Sequence, residues 1–570
     1  MELNTRKLFI KLIGKTAVLL FISLSFNCLG QETRNAFFIK FKDKTGSFTP
    51  SEHLSTKSIE RRSKFNINYD LLDYPVSPRY IKAILADSSI SIRYALKWHN
   101  AIVVDSKDSN LNFLLAYPFV QEINYVGKTK KVQSFPNQLF IQPIKKLKES
   151  TISTRNLSKE DYGVSYKQNK QIGTTVLHQQ GFDGEGIYIA VFDAGFHNLD
   201  KIPAFLKHQA NAKIYYGLDV VDMDLDLVDR DNHGTAVSSC VGAFDKGKYI
   251  GGAPQAKLLL FRTEKASSEY PLEELNWCKA AELADSFGVD LITSSLGYTT
   301  YDENNLSYQH EDLDGKTSYI SLAAKTAVDK GIFVLNSAGN EGDKTWRKVG
   351  TPADAPEVLT IGAVDLKNRN GSFSSQGNNA SGIIKPDVAA LGVRANVASS
   401  YGTYYQGYGT SYSTPIAAGG VACILQAFPK SSPKTIANAI RLSATNNINP
   451  DSLMGYGVAR LDLAYQVLSN NEIANPKPYI ISIDDKSLIL YSGKATNISY
   501  TLLKKKKWLW VFHKNITLIK GETLCNSTIS HITLDDFSPA CVDKYTLKVS
   551  LFGDVENYKL RNNKLSICTN

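Results

Sequence analysis

Residues 187–195 read Ile187-Tyr-Ile-Ala-Val-Phe-Asp193-Ala-Gly195, an apolar run closed by an acid, a small residue and a glycine. A strand that is apolar at consecutive positions is buried on both faces, the habit of a parallel sheet covered by helices rather than of an antiparallel sheet with one wet face. The pattern repeats outward from there. Ala256–Phe261, Leu291–Ser294, Ile332–Leu335 and Val358–Val364 are further brief apolar strands, and Glu273–Phe287, Ile320–Lys330 and Ser411–Ala427 are helix-length stretches among them. Residues 161–470 are therefore expected to form an α/β domain, a parallel sheet sandwiched by helices.

The flanks differ. The chain has 570 residues, enough for three or four units at roughly 100–200 residues each. Within residues 31–130, Asn35–Phe41, Ser91–Asp105 and Phe119–Val126 read as strands around a helix-like Asn110–Leu115, a small α+β unit. From Gly127 to Glu160 the sequence is basic, rich in Ser, Thr and Gln and without periodicity, which makes residues 131–160 a processing linker. Beyond Asn470 helix-length patterns stop. Tyr479–Ile483, Leu488–Leu490, Trp508–Phe512 and Leu547–Leu551 alternate with turn residues, so residues 471–570 read as a small antiparallel β-sandwich, with Lys504–Lys507 in a solvated loop or guarding an edge strand.

The first thirty residues read as a leader. Arg6, Lys7, Lys11 and Lys15 precede the apolar Ala17–Phe26, and Cys28 and Gly30 have the spacing of a signal-peptidase site. The apolar run is short of the ~20 residues a membrane-spanning helix needs, and Ser25-Phe26-Asn27 is a poor lipoprotein site. Export to the extracellular space or cell surface follows, with no transmembrane span. Of the seven cysteines, removal of the leader takes Cys28 and leaves six with no Cys-x-x-Cys pair, against a zinc ribbon. Cys240 and Cys423 sit in apolar helical runs as buried thiols, and Cys525 with Cys541 is the best disulfide candidate. The net charge of +10 does not indicate a nucleic-acid binder. Residues 161–470 hold 26 basic against 33 acidic side chains, and the basic excess lies in the flanks without a stripe interleaved with aromatics.

In α/β sheets reactive groups gather at the carboxyl ends of strands. Asp193 ends an apolar strand. In Asp231-Asn-His233-Gly-Thr-Ala236 small residues follow a histidine at the start of a helix, and in Gly407-Tyr-Gly-Thr-Ser411-Tyr-Ser-Thr-Pro415 glycines present a serine at another. Each has a plain structural reading taken alone: a turn acid, one of nine histidines, a helix N-cap. Together, in the order Asp, His, Ser and separated by 40 and 178 residues, they resemble the triad of the subtilisin-like serine peptidases, the subtilases. The likeness runs from about Tyr162 to Val467. It implies a subtilisin-like fold in which Asp193 supports His233, His233 is general base and then acid, and Ser411 is the nucleophile.

The resemblance extends to Asn336-Ser-Ala-Gly-Asn340, where Asn340 matches the family's oxyanion asparagine, and to Ser295-Leu296-Gly297 and Ala338-Gly339, which match the substrate-binding edge strand and the opposite wall of the primary pocket. Small or apolar walls there imply a preference for apolar residues at the scissile position. The departures are Ala194 for the usual Thr or Ser, Ala236 for the second histidine of the motif, and Tyr412-Ser413 for Met-Ala. Residues 31–130 resemble the α+β propeptides of exported subtilases, which act as folding assistants and intramolecular inhibitors.

The implied function is an exported serine endopeptidase, made as an inactive precursor, acting on protein or peptide substrates and requiring no cofactor for catalysis. A structural calcium stays open, although the acidic run Asp222, Asp224, Asp226, Asp229 and Asp231 lacks the turn glycine of a calcium loop and reads as a solvated loop, so no metal ligand is assigned. Two other readings compete. One is a catalytically weak or inactive scaffold serving in binding or adhesion. The other, a lipase, is disfavoured because Ser411 lacks the Gly-x-Ser-x-Gly elbow and the acid comes first in the chain.

Overall fold

The computed structural model describes residues 33–130, 156–210, 213–228 and 230–471, together with eight strands between Tyr479 and Ile567. The leader, most of the linker, and Cys541 and Cys568 lie outside the described residues. The N-terminal unit is a four-stranded antiparallel sheet of β1 (Thr33–Phe41), β2 (Ile90–Leu96), β3 (Ala101–Ser106) and β4 (Val120–Lys130), in the order β2-β3-β1-β4. It also carries α1 (Thr56–Lys64) and α2 (Pro78–Ile84). β4 continues through Gly127 to Lys130, and a capped helical turn runs over Lys159–Tyr162, so the aperiodic stretch is bounded by regular structure at both ends.

Seven parallel strands make the central sheet: β5 (Tyr188–Asp193), β6 (Ile214–Asp219), β7 (Lys257–Arg262), β8 (Leu291–Ser294), β9 (Phe333–Ser337), β10 (Leu359–Val364) and β11 (Val388–Leu391). Their order is β11-β10-β9-β8-β5-β7-β6. Alternate side chains of each strand face opposite layers, as the pleat requires. Ile189, Val191, Leu258 and Leu260 pack with α3 (His233–Gly242) and α6 (Thr410–Ala427) through Val237, Cys240, Ile416 and Val421. Ala190, Phe192, Leu259 and Phe261 pack with α4 (Pro271–Phe287) and α5 (Tyr319–Asp329) through Leu275, Cys278, Ala281 and Ala324. Cys240, Cys278 and Cys423 are buried free thiols.

The N-terminal sheet lies on the outer side of α4 and α5. Its Phe38, Tyr94, Leu96 and Val103 join the same core as those helices, while Phe37, Ile39 and Phe41 form a separate core with Tyr80 and Ile84 of α2. Polar groups fix the docking. Ser55 donates through its hydroxyl to the Phe287 carbonyl at 2.7 Å, closing the C-terminus of α4, and the Trp98 amide donates to Glu282 at 2.8 Å. At the centre Asp285 receives Arg61 and Arg62, the latter at 2.8 and 3.0 Å, and Lys330 reaches Asp73 at 2.8 Å.

The C-terminal strands form antiparallel sheets of three and five strands. One reading changes here: Trp508 and Phe512 face each other at the ends of adjoining strands rather than lying in one, while Lys504–Lys507 lies in a strand paired with 512–525 whose other neighbour among the described residues reaches only Lys504, so that Lys505–Lys507 have one side open. Cys525 ends a strand; its proposed partner is outside the described residues. Among the described residues no helix is long and apolar enough to cross a membrane.

Candidate active site

The sheet order reverses around β5, and the carboxyl ends of β5, β8 and β9 stand side by side there. Asp193 is the last residue of β5, Ser295 follows β8, and Asn340 comes three residues after β9. His233 opens α3, with its backbone N–H capped by Asp231 at 2.7 Å. Ser411 stands one residue into α6, whose N-cap is Gly409, so the plain N-cap reading of Ser411 does not hold.

Asp193 is fully buried, and its Oδ1 accepts from His233 Nδ1 at 2.8 Å and from the Ala194 amide at 2.8 Å. This bond fixes the imidazole with its proton on Nδ1 when neutral and leaves Nε2 as the base. Asp193 Oδ2 is buried without a partner, beside the Ala194 that lacks a hydroxyl to offer it. Burial pulls the His233 pKa down, but the charge and hydrogen bond of Asp193, with Glu264 and Asp231, outweigh it and raise the value to about 9.

Pro415 lies inside α6 and has no N–H to give the carbonyl four residues earlier, that of Ser411. The Ser295 hydroxyl takes its place, donating to the Ser411 carbonyl at 2.9 Å. In return the Ser411 hydroxyl donates to the Ser295 carbonyl at 3.4 Å. Asn340 is oriented by Thr410, whose amide and hydroxyl donate to its Oδ1 at 3.0 and 3.1 Å. Its Nδ2 is thereby turned to the Ser411 side: a Cβ built on Gly409 would meet Asn340 Nδ2 at 3.7 Å and Ser411 Cβ at 3.8 Å. Gly409, at φ 153°, turns the chain so that these groups converge.

The remaining predicted residues surround this cluster. Leu296 is buried and Gly297 exposed; the segment leaves the carboxyl end of β8 past the residues paired with its two neighbours, and Tyr298 just beyond it bridges to Thr351. Ala338 is buried in a small apolar cluster with Val349 and Ala353, and Gly339 follows at φ 101°. Tyr412 packs its ring 5.8 Å from that of His233 and over Gly407. The acidic run is not simply solvated. Arg230 reaches Asp219, Asp222, Asp224 and Asp226, and Arg262 reaches Asp219 and Asp222, while the side chains of Asp222, Asp224 and Asp226 stay 42–44% exposed and Asp229 lies outside the described residues.

Glu264 was not among the predicted residues. It lies two residues past β7, whose Arg262 is in register with Asp193, the same carboxyl-end rule that singles out Asp193. Burial foremost, then Asp193 and Glu269, push its pKa up to about 8.

The Subtilase family model matches residues 184–457, and that of the peptidase S8 propeptide domain of Bacteroidota matches residues 36–140. Subtilisin E of Bacillus subtilis (strain 168) is 31% identical over 294 residues, 50% of this chain and 66% of that protein, just under two thirds of its length. Subtilisin of Bacillus pumilus is 30% identical over 294 residues, covering 91% of its length. Among solved structures, the epidermin leader peptide processing serine protease of Staphylococcus aureus superimposes with a TM-score of 0.52 at 19% identity, over 77% of this chain and 100% of that one, a likeness of fold.

Proposed function

The chain belongs to the subtilase family, with a peptidase S8 propeptide domain ahead of its peptidase domain, and on that premise we propose that it is an exported serine endopeptidase made as an autoinhibited precursor. The observation that carries this reading is the 2.8 Å bond from His233 Nδ1 to Asp193, set beside Ser411 at the start of α6. In the proposed reaction Ser411 rotates its hydroxyl from the Ser295 carbonyl to His233 Nε2 and attacks the substrate carbonyl, while His233 takes the proton. Asn340 Nδ2 donates to the oxyanion. His233 then protonates the leaving amine, the peptide C–N bond breaks, and water hydrolyses the acyl-enzyme by the same steps. Asp193 keeps its charge throughout and stabilises the imidazolium. This mechanism uses no metal or cofactor.

The N-terminal unit, docked on α4 and α5, acts in this reading as the intramolecular inhibitor, and the leader directs export. A fluorophosphonate probe tests the assignment: it labels the processed protein, and Ser411→Ala abolishes both labelling and self-processing. Absence of labelling in correctly folded, processed protein supports the inactive-scaffold reading instead.

A further inference from the structure

Asp193, Arg262 and Asp219 stand abreast on the adjoining strands β5, β7 and β6. Residues in register on neighbouring strands face the same side of a sheet, so a cation stands between two fully buried acids, itself only 6% exposed. Backbone bonds lock the row: the Thr263 amide donates to the Asp193 carbonyl at 3.1 Å, and the Val220 amide to the Arg262 carbonyl at 2.9 Å. The reaction above makes no use of Arg262. Its Nη1 donates to Asp219 at 2.6 Å and to Asp222 at 2.7 Å. Asp219 is saturated, with Oδ1 accepting the Val221 and Asp222 amides at 2.9 Å each and Oδ2 accepting Arg230 Nε at 3.2 Å besides Arg262. A carboxylate held by four donors is a fixed anchor for the guanidinium.

From that anchor Arg262 reaches the turn that carries the catalytic acid, its Nε donating to the Ala194 carbonyl at 2.9 Å. The turn Asp193-Ala-Gly195 is the short path between acid and base. It starts at the carboxylate bonded to His233 and ends where the Gly195 carbonyl accepts the Gly234 amide at 3.0 Å, next to His233. Ala194 is its midpoint, and the Ala194 amide orients Asp193 Oδ1 at 2.8 Å. Gly195 fits closely against the loop ahead of His233, since a Cβ there would stand 2.4 Å from the Asp231 nitrogen, so a shift at Ala194 is passed to both partners. Asp193 has little else to hold it: Oδ2 is buried without a partner, and Ala194 brings no hydroxyl to it. An arginine suits the double task where a lysine does not, because a lysine at 262 keeps a cation beside Asp219 but carries a methylene in the place of Nε.

We propose that Arg262 is a positioning residue of the triad: anchored on Asp219, it holds the Ala194 carbonyl and so keeps the Asp193 carboxylate aligned on His233 Nδ1, in place of the hydroxyl that Ala194 does not supply. The assignment rests on the serine-peptidase reading above and adds to it a residue that touches neither the substrate nor the reacting atoms.

The test compares the parent, Arg262→Lys, Ala194→Ser and the double variant as processed enzymes on one fluorogenic peptide, each corrected for folded fraction. Arg262→Lys keeps the charge beside Asp219 and is expected to lower kcat about tenfold with KM unchanged, because a loosened acid weakens the transition state rather than substrate binding. Ala194→Ser brings a hydroxyl to Asp193 Oδ2. It is expected to change the parent by less than about threefold and to recover most of the loss in the double variant, a coupling that a merely structural arginine does not produce. A kcat in Arg262→Lys within about twofold of the parent, a loss confined to KM, or a double variant no better than Arg262→Lys overturns the proposal. If the parent cuts no peptide, the serine-peptidase reading fails, and the low-field proton resonance of the His233 Nδ1–H bond to Asp193 in the full chain still decides the positioning role. A resonance broadened in Arg262→Lys and restored in the double variant supports it; one unchanged in Arg262→Lys, or not restored, overturns it.

Discussion

Ser295 and Ser411 exchange hydrogen bonds, the hydroxyl of each donating to the carbonyl of the other, at 2.9 Å from Ser295 and 3.4 Å from Ser411. The cause is Pro415, which leaves the Ser411 carbonyl without its helical donor. Among the described residues no hydrogen bond joins Ser411 to His233, so the serine is parked on Ser295 while the N-terminal unit is docked. In the unliganded state such contacts are often long and tighten only with substrate.

Ser295→Ala leaves the half-buried Ser411 carbonyl without its donor and is expected to destabilise the peptidase domain by about 1 kcal/mol. Ser295→Thr, which keeps the hydroxyl, loses much less. Denaturant unfolding of the three proteins checks this, and equal midpoints for Ser295→Ala and the parent refute the role given to Pro415.

Asn340→Ala is expected to lower kcat by about 10²–10³ with little change in KM, since the amide acts on charge that develops only in the transition state. Thr410→Ala removes one of the two donors that turn Asn340, the hydroxyl at 3.1 Å, but leaves the backbone amide at 3.0 Å, so its loss is smaller. A loss confined to KM in Asn340→Ala rules out the oxyanion role.

Asp285 is fully buried and takes both Arg61 and Arg62, whose side chains are 2% and 1% exposed. Asp285→Ala leaves two buried guanidinium groups short of a partner, a change that costs about 3–5 kcal/mol in comparable buried pairs. Docking of the N-terminal unit is expected to weaken by about two orders of magnitude or more. Inhibition of the processed enzyme by the separately added N-terminal unit measures it, and an unchanged inhibition constant contradicts the prediction.

What the sequence disclosed follows the same physics. β5 was legible because an apolar run ends in an acid, whereas Asp193, His233, Asn340 and Ser411 each have a plain structural reading alone and stood out through the resemblance of their motifs, in that order, to the subtilases. β6 was missed because Gly217 interrupts its short run Ile214–Asp219, and β11 because Val388–Leu391 is four small or apolar residues without flanking punctuation. The helix α1 was hidden for another reason. Its sequence Thr-Lys-Ser-Ile-Glu-Arg-Arg-Ser-Lys is polar but for Ile59, and Arg61 and Arg62 are buried against distant partners, Asp285 more than 220 residues away first among them. Long-range charge pairing leaves no local periodicity, which also kept Arg262, whose partners Asp219 and Asp222 lie about forty residues away, out of the predicted site, whereas Glu264 follows the carboxyl-end rule and could have been found.

His233 must be neutral to accept the Ser411 proton, and burial, which favours the neutral form, is overcome by Asp193, Glu264 and Asp231, which raise its pKa to about 9 from the ordinary 6.5. The sign follows directly: below the raised value the ring is imidazolium and inactive, so kcat/KM falls with unit slope as pH drops through about 9 rather than through the ordinary value. Activity at neutral pH is then a small fraction of the alkaline plateau. Glu264 raises the limb only when ionised, so Glu264→Gln is expected to move it toward lower pH. Glu269→Gln serves as the contrast, since its carboxylate is not among the groups acting on His233, and it should leave the limb in place. Profiles of kcat/KM from pH 5 to 11 at constant ionic strength, corrected for folded fraction, measure all three. A parent limb at or below the ordinary histidine value shows that the buried pair does not hold the imidazolium in the working enzyme, and that Asp193 serves mainly to orient the ring.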